Sequence, residues 1–547
     1  MKNILFFSLI FIACSKKSGT TPSANHAPLV SLSQSIVSVD PFTYKFKASA
    51  SDEDDDNLTY IWDFGDGTTK QGSAEEDHSY NDVNKSYTVK IAVSDGKAAP
   101  VMALITVNTT VSAIAIDASK KYQTMEGFGG FGAQDVYWSN GPFTSARFVD
   151  DLINDLGLTI LRDNIPTDFE NVNDDNDPNT TNLSDFHYNS FNDHIQYLKD
   201  MKAAGLNKLI ISCWSGPAWM KTNNNVNGDK ADAPAYNSNP TGANNQLRTD
   251  MYEEFAERCV AYIKIIKQET GVDVYAISLQ NEPRFTEPYE SCVFSGEALR
   301  DLIKVVGKRF ADDAIKAKIF MPEDIGYLDG VSGMVQPTLN DAEARKYVSI
   351  IAVHGYALDG VTADSPDALT WQTMYSWGAQ YNMPLWMTET SGFSNDMKGA
   401  IDLAKAIYTS ISFGNVSAWL HWALSQQTVD QFALMSSSGE KSKRYFVSKN
   451  FYRYVRPGDV RISASANDQT NIYPLAFKND TAHTTSIILI NDNATDQPVK
   501  LSGADLPAQF EMYVTSASND CKKLADINSA DTFILPASSV ITLYKKN

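Results

Sequence analysis

The feature that most narrows the fold is an alternation that begins near residue 130. Short apolar runs at 158–165, 208–215, 274–283, 318–325, 348–356, 384–390 and 415–424 alternate with helix-like stretches at 191–204, 248–270, 296–317 and 397–412. A first strand is expected near 130–136. Runs apolar on both faces, each followed by a helix or a long connection, are the pattern of parallel strands covered by helices. Eight of them predict a (β/α)8 barrel over 130–445. An open doubly wound sheet is the competing arrangement; the strand count and the polar residues at the strand ends favour the barrel.

Two of the runs end in a carboxylate. The fourth closes Ser278-Leu279-Gln280-Asn281-Glu282-Pro283, and the seventh closes Leu385-Trp386-Met387-Thr388-Glu389-Thr390. Strand alternation gives no reason for a charge at the end of an apolar run. A barrel mouth does, because chemistry on this fold sits where the strands end. Two carboxylates on one cleft are what glycoside hydrolysis requires, one protonated and one ionised, with pKa values separated by burial and mutual repulsion. A single Glu is as readily an ion-pair partner; the pair at strands four and seven, with Asn-Glu-Pro at the first, is not.

Several segments resemble one family. Gln123-Thr124-Met125-Glu126-Gly127-Phe128-Gly129-Gly130, Gly157-Leu158-Thr159-Ile160-Leu161-Arg162, Cys213-Trp214-Ser215-Gly216-Pro217-Ala218-Trp219-Met220-Lys221 and Tyr454-Val455-Arg456-Pro457-Gly458 with Val460-Arg461-Ile462 are similar to glycoside hydrolase family 30. The likeness spans 113–547. It implies a retaining endo-β-glycanase with Glu282 as acid/base and Glu389 as nucleophile. Arg162, Asn281, His354, Tyr356 and Trp422 would line the subsite around the cleaved bond. Within that family xylan, including glucuronoxylan, is the substrate favoured here, over β-1,6-glucan and β-1,6-galactan. Glucosylceramidases of the same family are a less natural match for an exported lipoprotein.

The supporting residues also make physical sense. Arg162 ends a strand and can hold a carboxylate by a bidentate bond. Trp214, Trp219 and Trp422 offer flat faces to sugar rings, whereas Trp138 and Trp386 are as easily core. His421 should turn away from the cleft that Trp422 faces. A uronate-reading cleft would need a cation after strand seven or eight, for which Lys398, Lys441, Lys443 and Arg444 are the candidates. Gly127-x-Gly129-x-x-Gly132 matches a dinucleotide fingerprint only formally. No strand–turn–helix unit surrounds it, so the glycines read as close backbone packing.

Flanking segments are β-rich. Residues 27–112 carry strand-like runs at 44–48, 58–62, 87–93 and 102–107 around Trp62-Asp63-Phe64-Gly65-Asp66-Gly67. This motif resembles that of a PKD domain, an immunoglobulin-like sandwich, to which no catalysis is assigned. The acidic run Asp52 to Asp56 reads as a solvated turn ahead of a calcium site. Residues 446–547 read as a second sandwich, and 113–129 as strands that pair with it from ahead of the barrel.

Lys2, the apolar run Ile4–Ala13 and Cys14 resemble a lipoprotein leader over 1–14, with Cys14 as the lipid attachment and 15–26 as a polar tether. A plain secretory leader is the alternative. This ten-residue, mostly apolar run falls short of the roughly 20 a membrane-spanning helix needs. The remaining cysteines, Cys213, Cys259, Cys292 and Cys521, show no zinc spacing; disulfides and buried thiols both remain open. A net charge of −20 argues against nucleic acid and anionic membrane surfaces. The expectation is thus an exported monomer, held to the cell envelope only by its lipid, acting on polysaccharide without metal or cofactor. A glycan-binding lipoprotein on an inactive barrel is the reading from another class; both carboxylates count against it.

Overall fold

In a computed structural model, residues 24–132, 146–173, 175, 177–228, 244–325, 329–356, 368–466 and 471–546 are described. The chain divides between Thr110 and Val111 into two compact units. Cys14 and Trp138 lie outside the described residues.

In the first unit, alternating side chains build a two-sheet sandwich. One sheet orders Leu29–Val39, Phe42–Ser51 and Glu75–Tyr80; the other orders Thr69–Gly72, Thr59–Asp63, Ser86–Ser94 and Val101–Asn108. Tyr44, Phe46, Trp62, Val89, Ile91 and Val93 point inward and are buried. Trp62 stacks on Phe64 at 6.1 Å, and its indole N–H donates to Ser73 O at 3.0 Å. Gly65 and Gly67, at φ 80° and 94°, make the turn that the Asp-Gly pair announces. Asp52, Asp56 and Asp95 bring oxygens within 4.8 Å of one another. Lys97 Nζ already sits 2.6 Å from Asp56, so a cation is in place. Strand Glu75–Tyr80 escaped the sequence reading because its exposed face is charged.

In the second unit, eight parallel strands close a barrel in chain order: β1 (Gly127–Phe131), β2 (Ile160–Asn164), β3 (Lys208–Ser212), β4 (Val274–Ser278), β5 (Lys318–Ile325), β6 (Val348–His354), β7 (Leu385–Glu389) and β8 (Ala418–His421). Inward residues Ile160, Ile210, Ala276, Phe320, Ile350, Trp386, Ala418 and Leu420 fill the interior. Outward neighbours such as Leu161, Ile211, Ile277, Ile351 and Met387 pack in the surrounding core. Both faces are dry, which is why the runs read as continuously apolar.

Helices α1 (Phe191–Ala204), α2 (Tyr252–Thr270), α3 (Gly296–Asp312) and α4 (Met397–Phe413) fall within the expected stretches or within one residue of them. Gly205 and Gly271 end α1 and α2 in the left-handed conformation; Ser295 and Asp396 cap the starts of α3 and α4.

The first strand departs from expectation. It is Gly127–Phe131, not 130–136, so the barrel begins inside the stretch assigned to the side sandwich. Residues 133–136 lie outside the described residues. Its glycines give no hydrophobic signal, and their role is steric. A Cβ on Gly129 would lie 1.8 Å from the Ile160 carbonyl oxygen, and one on Gly130 2.7 Å from that of His421. Trp386, left open between cleft and core, is core: it is fully buried in the barrel interior and stacked on Tyr275 at 6.2 Å.

The side domain joins segments from both ends of this unit. Ser112–Thr124 pairs antiparallel with Val460–Ala466 and parallel with Gln497–Ser502. Ile114, Ile116, Leu489, Val499, Phe510 and Leu543 share its core.

Candidate active site

Strand alternation turns Ile160 and Arg162 into the barrel. Arg162 is fully buried and reaches across the mouth. One guanidinium nitrogen donates to Glu389, Nη2 donates to Asn281 Oδ1 at 2.7 Å, and Nε lies 3.0 Å from both Ser212 Oγ and Glu323 Oε1. The expected bidentate grip on one carboxylate is instead a fork shared among four residues. With Asn281 Oδ1 taken by Arg162, its NH2 end is the one able to donate to a sugar hydroxyl.

Glu282 follows β4 in the left-handed region at φ 47°, and its side chain is 12% exposed. Its N–H donates to Glu323 O at 2.8 Å. Glu389 ends β7 with a side chain 5% exposed, and accepts from both Arg162 and the Tyr356 hydroxyl. One oxygen of each glutamate lies within 4.8 Å of the other and of a His354 nitrogen. His354 Nδ1 is 3.0 Å from Glu282 Oε1 and 3.9 Å from Glu389 Oε2; Nε2 is 3.4 Å from Glu323 Oε1.

The electrostatics separate these groups. Burial pushes the Glu282 carboxyl up to about 7, helped by the Glu389 charge and opposed by His354. Burial would pull His354 down, but Glu389, Glu282 and Glu323 lift it to about 9. Burial would raise Glu323, yet Arg162 and His354 hold it at about 2. Burial and Glu389 keep the Tyr356 phenol protonated. The glutamates and His354 are close enough to grip a metal ion, but Arg162 and the protonated imidazole already supply the positive charge. The arrangement can therefore deliver a proton from Glu282 and an attacking oxygen from Glu389.

Aromatic rings wall the mouth. Trp422 stacks on Phe131 at 4.4 Å, Trp214 lies 5.9 Å from Trp422, and the Arg162 guanidinium sits 4.7 Å over Trp214. Both tryptophans are half-buried, whereas Trp219 packs on the outer core with its N–H on Glu170 O at 3.1 Å. His421 is buried away from the cleft with Nε2 3.0 Å from Phe432 O.

Of the expected mouth residues, Arg162, Trp214, Asn281, Glu282, His354, Tyr356, Glu389 and Trp422 converge, and Trp219 does not. Glu323, Ser212 and Phe131 were missed. Glu323 carried a readable signal, since Glu323-Asp324 ends the apolar run of β5 as Glu389 ends β7.

The four cations considered for a uronate are engaged elsewhere. Lys398 pairs with Asp402 at 2.5 Å, Lys441 with Asp151 and Asp155 at 2.7 and 2.9 Å, and Lys443 with Asp520 at 2.6 Å. Arg444 is fully buried and donates to Gln431 O at 2.6 Å and Ala433 O at 2.9 Å.

Known proteins share this architecture. The chain is 29% identical over 349 residues to the glucuronoxylanase XynC of Bacillus subtilis, covering 62% of this chain and 74% of that protein. A glycoside hydrolase family 30 subfamily 8 xylanase, Xyn30A of Clostridium acetobutylicum, superposes with a TM-score of 0.64 and 26% identity over 80% of this chain and all of that one. The endo-β1,6-glucanase BT3312 has a TM-score of 0.59 at 18% identity over 90% of this chain and all of that one, a likeness of fold alone. Residues 25–111 match the PKD domain, and residues 156–425 match the glycosyl hydrolase family 30 TIM-barrel domain. Residues 156–425 are thus a glycosyl hydrolase family 30 TIM-barrel domain, and the chain is a glycoside hydrolase.

Proposed function

We propose that the protein cleaves the main chain of β-1,4-xylan internally and with retention, Glu282 acting as acid/base and Glu389 as nucleophile. The observation that carries this reading is the facing pair: carboxylate oxygens within 4.8 Å, one group burdened by burial until it holds a proton near neutrality, the other gripped by Arg162 and Tyr356. Retaining enzymes keep their two carboxyl groups about 5–5.5 Å apart, inverting ones about 6.5–9.5 Å. Glu282 protonates the departing glycosidic oxygen while a Glu389 oxygen attacks the anomeric carbon. Glu282, now ionised, takes a proton from water; that water displaces Glu389 and restores both groups.

Xylan is supported by the two xylan-degrading relatives, at 29% and 26% identity. The uronate branch of glucuronoxylan has less support, because the four candidate cations are committed to other partners. The β-1,6-glucanase reading has a shorter sequence likeness, 30% identity over 156 residues to the endo-1,6-β-D-glucanase neg1 of Aspergillus fumigatus, 27% of this chain and 30% of that protein, beside the likeness of fold.

Product analysis on glucuronoxylan, arabinoxylan, β-1,6-glucan and β-1,6-galactan decides it. Xylo-oligosaccharides with retained β-configuration at first appearance are expected. Products from a β-1,6-linked polymer alone would discard the substrate and keep the mechanism. Silence on the whole panel, unchanged by Glu389→Gln, would favour the binding-protein reading. Export and anchorage through Cys14 belong to the same proposal; labelling with a fatty acid that persists in Cys14→Ser would refute it.

A further inference from the structure

The charges around the two proposed catalytic groups balance only when Glu323 is counted. It is fully buried, and no sugar contact is assigned to it. Its Oε1 lies 3.0 Å from Arg162 Nε and 3.4 Å from His354 Nε2, so it joins the arginine that holds Glu389 to the imidazole that holds Glu282. Its backbone is left-handed at φ 55°, as Glu282 is at φ 47°, and the two are linked by the Glu282 N–H. Left-handed backbone at two non-glycine residues, one in β5 and one just after β4, hydrogen-bonded to each other, is strain of the kind that collects at functional sites. Glu323 Oε2 is buried without a hydrogen-bond partner among the described residues, which a carboxylate kept only for packing would avoid.

We infer that Glu323 is a positioning residue for both halves of the reaction: its buried carboxylate bridges Arg162 and His354, holds both in place and supplies the charge that leaves the cluster neutral before and after the glycosyl group moves. The inference rests on the roles given above to Glu282 and Glu389. Before attack, Glu282 holds its proton, Glu389 and Glu323 are anions, and Arg162 and His354 are cations. The sum is zero. When the glycosidic bond breaks, Glu282 gives its proton to the leaving oxygen and becomes an anion, while Glu389 loses its charge in the new bond to the anomeric carbon. The sum is zero again. Water then returns a proton to Glu282 and frees Glu389.

Unbalanced charge is costly where solvent is excluded, so this constancy favours both steps. The charged and titratable groups that the described residues bring to His354 and its partners come from five strands. Glu282 follows β4, Glu323 and Asp324 belong to β5, Glu389 to β7 and Arg162 to β2, with Tyr356 just beyond β6. Asp324 is matched by Arg284, whose Nη2 also donates to Ile325 O at 2.7 Å, and Tyr356 is neutral. Without the Glu323 charge the cluster is left positive in both halves. His354 relieves that by losing its proton, and Glu282 then lacks the neighbouring cation that stabilises it as a base.

The test compares Glu323→Gln and Glu323→Asp in the full chain. The substrate is an aryl β-xylobioside whose leaving group departs without protonation, so that only the second half needs Glu282. The Gln variant should lose roughly tenfold or more in kcat at pH 7. It should also accumulate a glycosyl ester on Glu389, seen by mass spectrometry, and shift the alkaline limb of kcat/KM on xylan to higher pH. The Asp variant, which keeps the charge, should recover most of the rate. A Gln variant with the parental limb and no accumulated ester overturns the inference, as does an Asp variant equally slow with the parental melting temperature. If the Gln variant does not fold, the Asp variant decides: near-parental kcat and limb support a charge role, and loss of both refutes it. If the parent cleaves no xyloside but does cleave another β-glycan, the substrate reading falls and the same variants are read on the aryl glycoside of that sugar.

Discussion

Glu282 has to be an acid and then a base, and its surroundings trade stability for that. Its carboxyl is raised from 4.5 to about 7 in the fold, first by burial. A folded value above the unfolded one means that this group's contribution is fully present below pH 4.5 and is lost as pH rises through 7. The alkaline limb of kcat/KM should therefore fall near pH 7, and a limb above pH 9 would remove Glu282 from the acid role. Glu282→Gln should lose roughly a hundredfold or more in rate. The same variant should melt at a higher temperature than the parent at pH 8, because ionising the buried group costs of the order of 3 kcal/mol. A lower melting temperature would show that its pairing with His354 outweighs its desolvation. Much of this was legible in the sequence: a carboxylate closing an apolar run stands out. The raised pKa was not, because it depends on His354 and Glu389, which are brought in by distant strands.

At the scale of elements, the strands that announce themselves are those whose side chains carry the packing. Strands β2 to β8 are apolar on both faces and sit inside the runs the sequence offers. Strand β1 is made of Gly127-Phe128-Gly129-Gly130-Phe131, and its information lies in missing side chains. It lies between β2 and β8, with Gly129 paired to Ile160 and Leu420. Gly129→Ala should therefore destabilise the barrel severely, by roughly 3 kcal/mol or more, since its methyl would meet backbone rather than a flexible side chain. Urea denaturation followed by tryptophan fluorescence checks this; an unchanged midpoint would mean that β1 can move away from β2. The Arg456-Pro457-Gly458 turn, part of one of the family-like segments, fastens β1's approach. Gly458 N–H donates to Met125 O at 2.9 Å, and Arg456 Nη1 to Gly157 O at 2.5 Å. Its motif was visible, but its role could be read only from partners some 300 positions away in the chain.

At the scale of the molecule, charge bears on substrate. The chain has a net charge of −20. The connections after the eight strands, 132–145, 165–190, 213–251, 279–295, 326–328, 355–367, 390–396 and 422–442, contain Lys or Arg only at Lys221, Lys230, Arg248, Arg284 and Lys441. Lys221 is buried on the Ser291 carbonyl at 2.6 Å, Arg248 is on Asp250 at 2.5 Å, Arg284 is on Asp324, and Lys441 is on Asp151 and Asp155. Lys230 lies outside the described residues. An acidic mouth repels an acidic polymer, most strongly at low salt. Glucuronoxylan whose uronates are reduced to neutral sugars should thus be cleaved at least as fast as the native polymer, with any difference fading as salt rises. A tenfold drop on reduction would show that the uronate is read, and Lys230→Ala would then be the first variant to make.

Sequence pattern was enough for the barrel, the sandwich motif around Trp62 and the two glutamates, because each leaves a local mark: apolar periodicity, a turn dipeptide, a charge where none belongs. Tertiary structure alone decided that β1 is the glycine strand, that Trp386 is interior, that the four candidate cations serve other partners and that Glu323 joins Arg162 to His354. Those facts depend on what lies across the barrel from a residue, and closing eight strands into a ring sets that independently of distance along the chain.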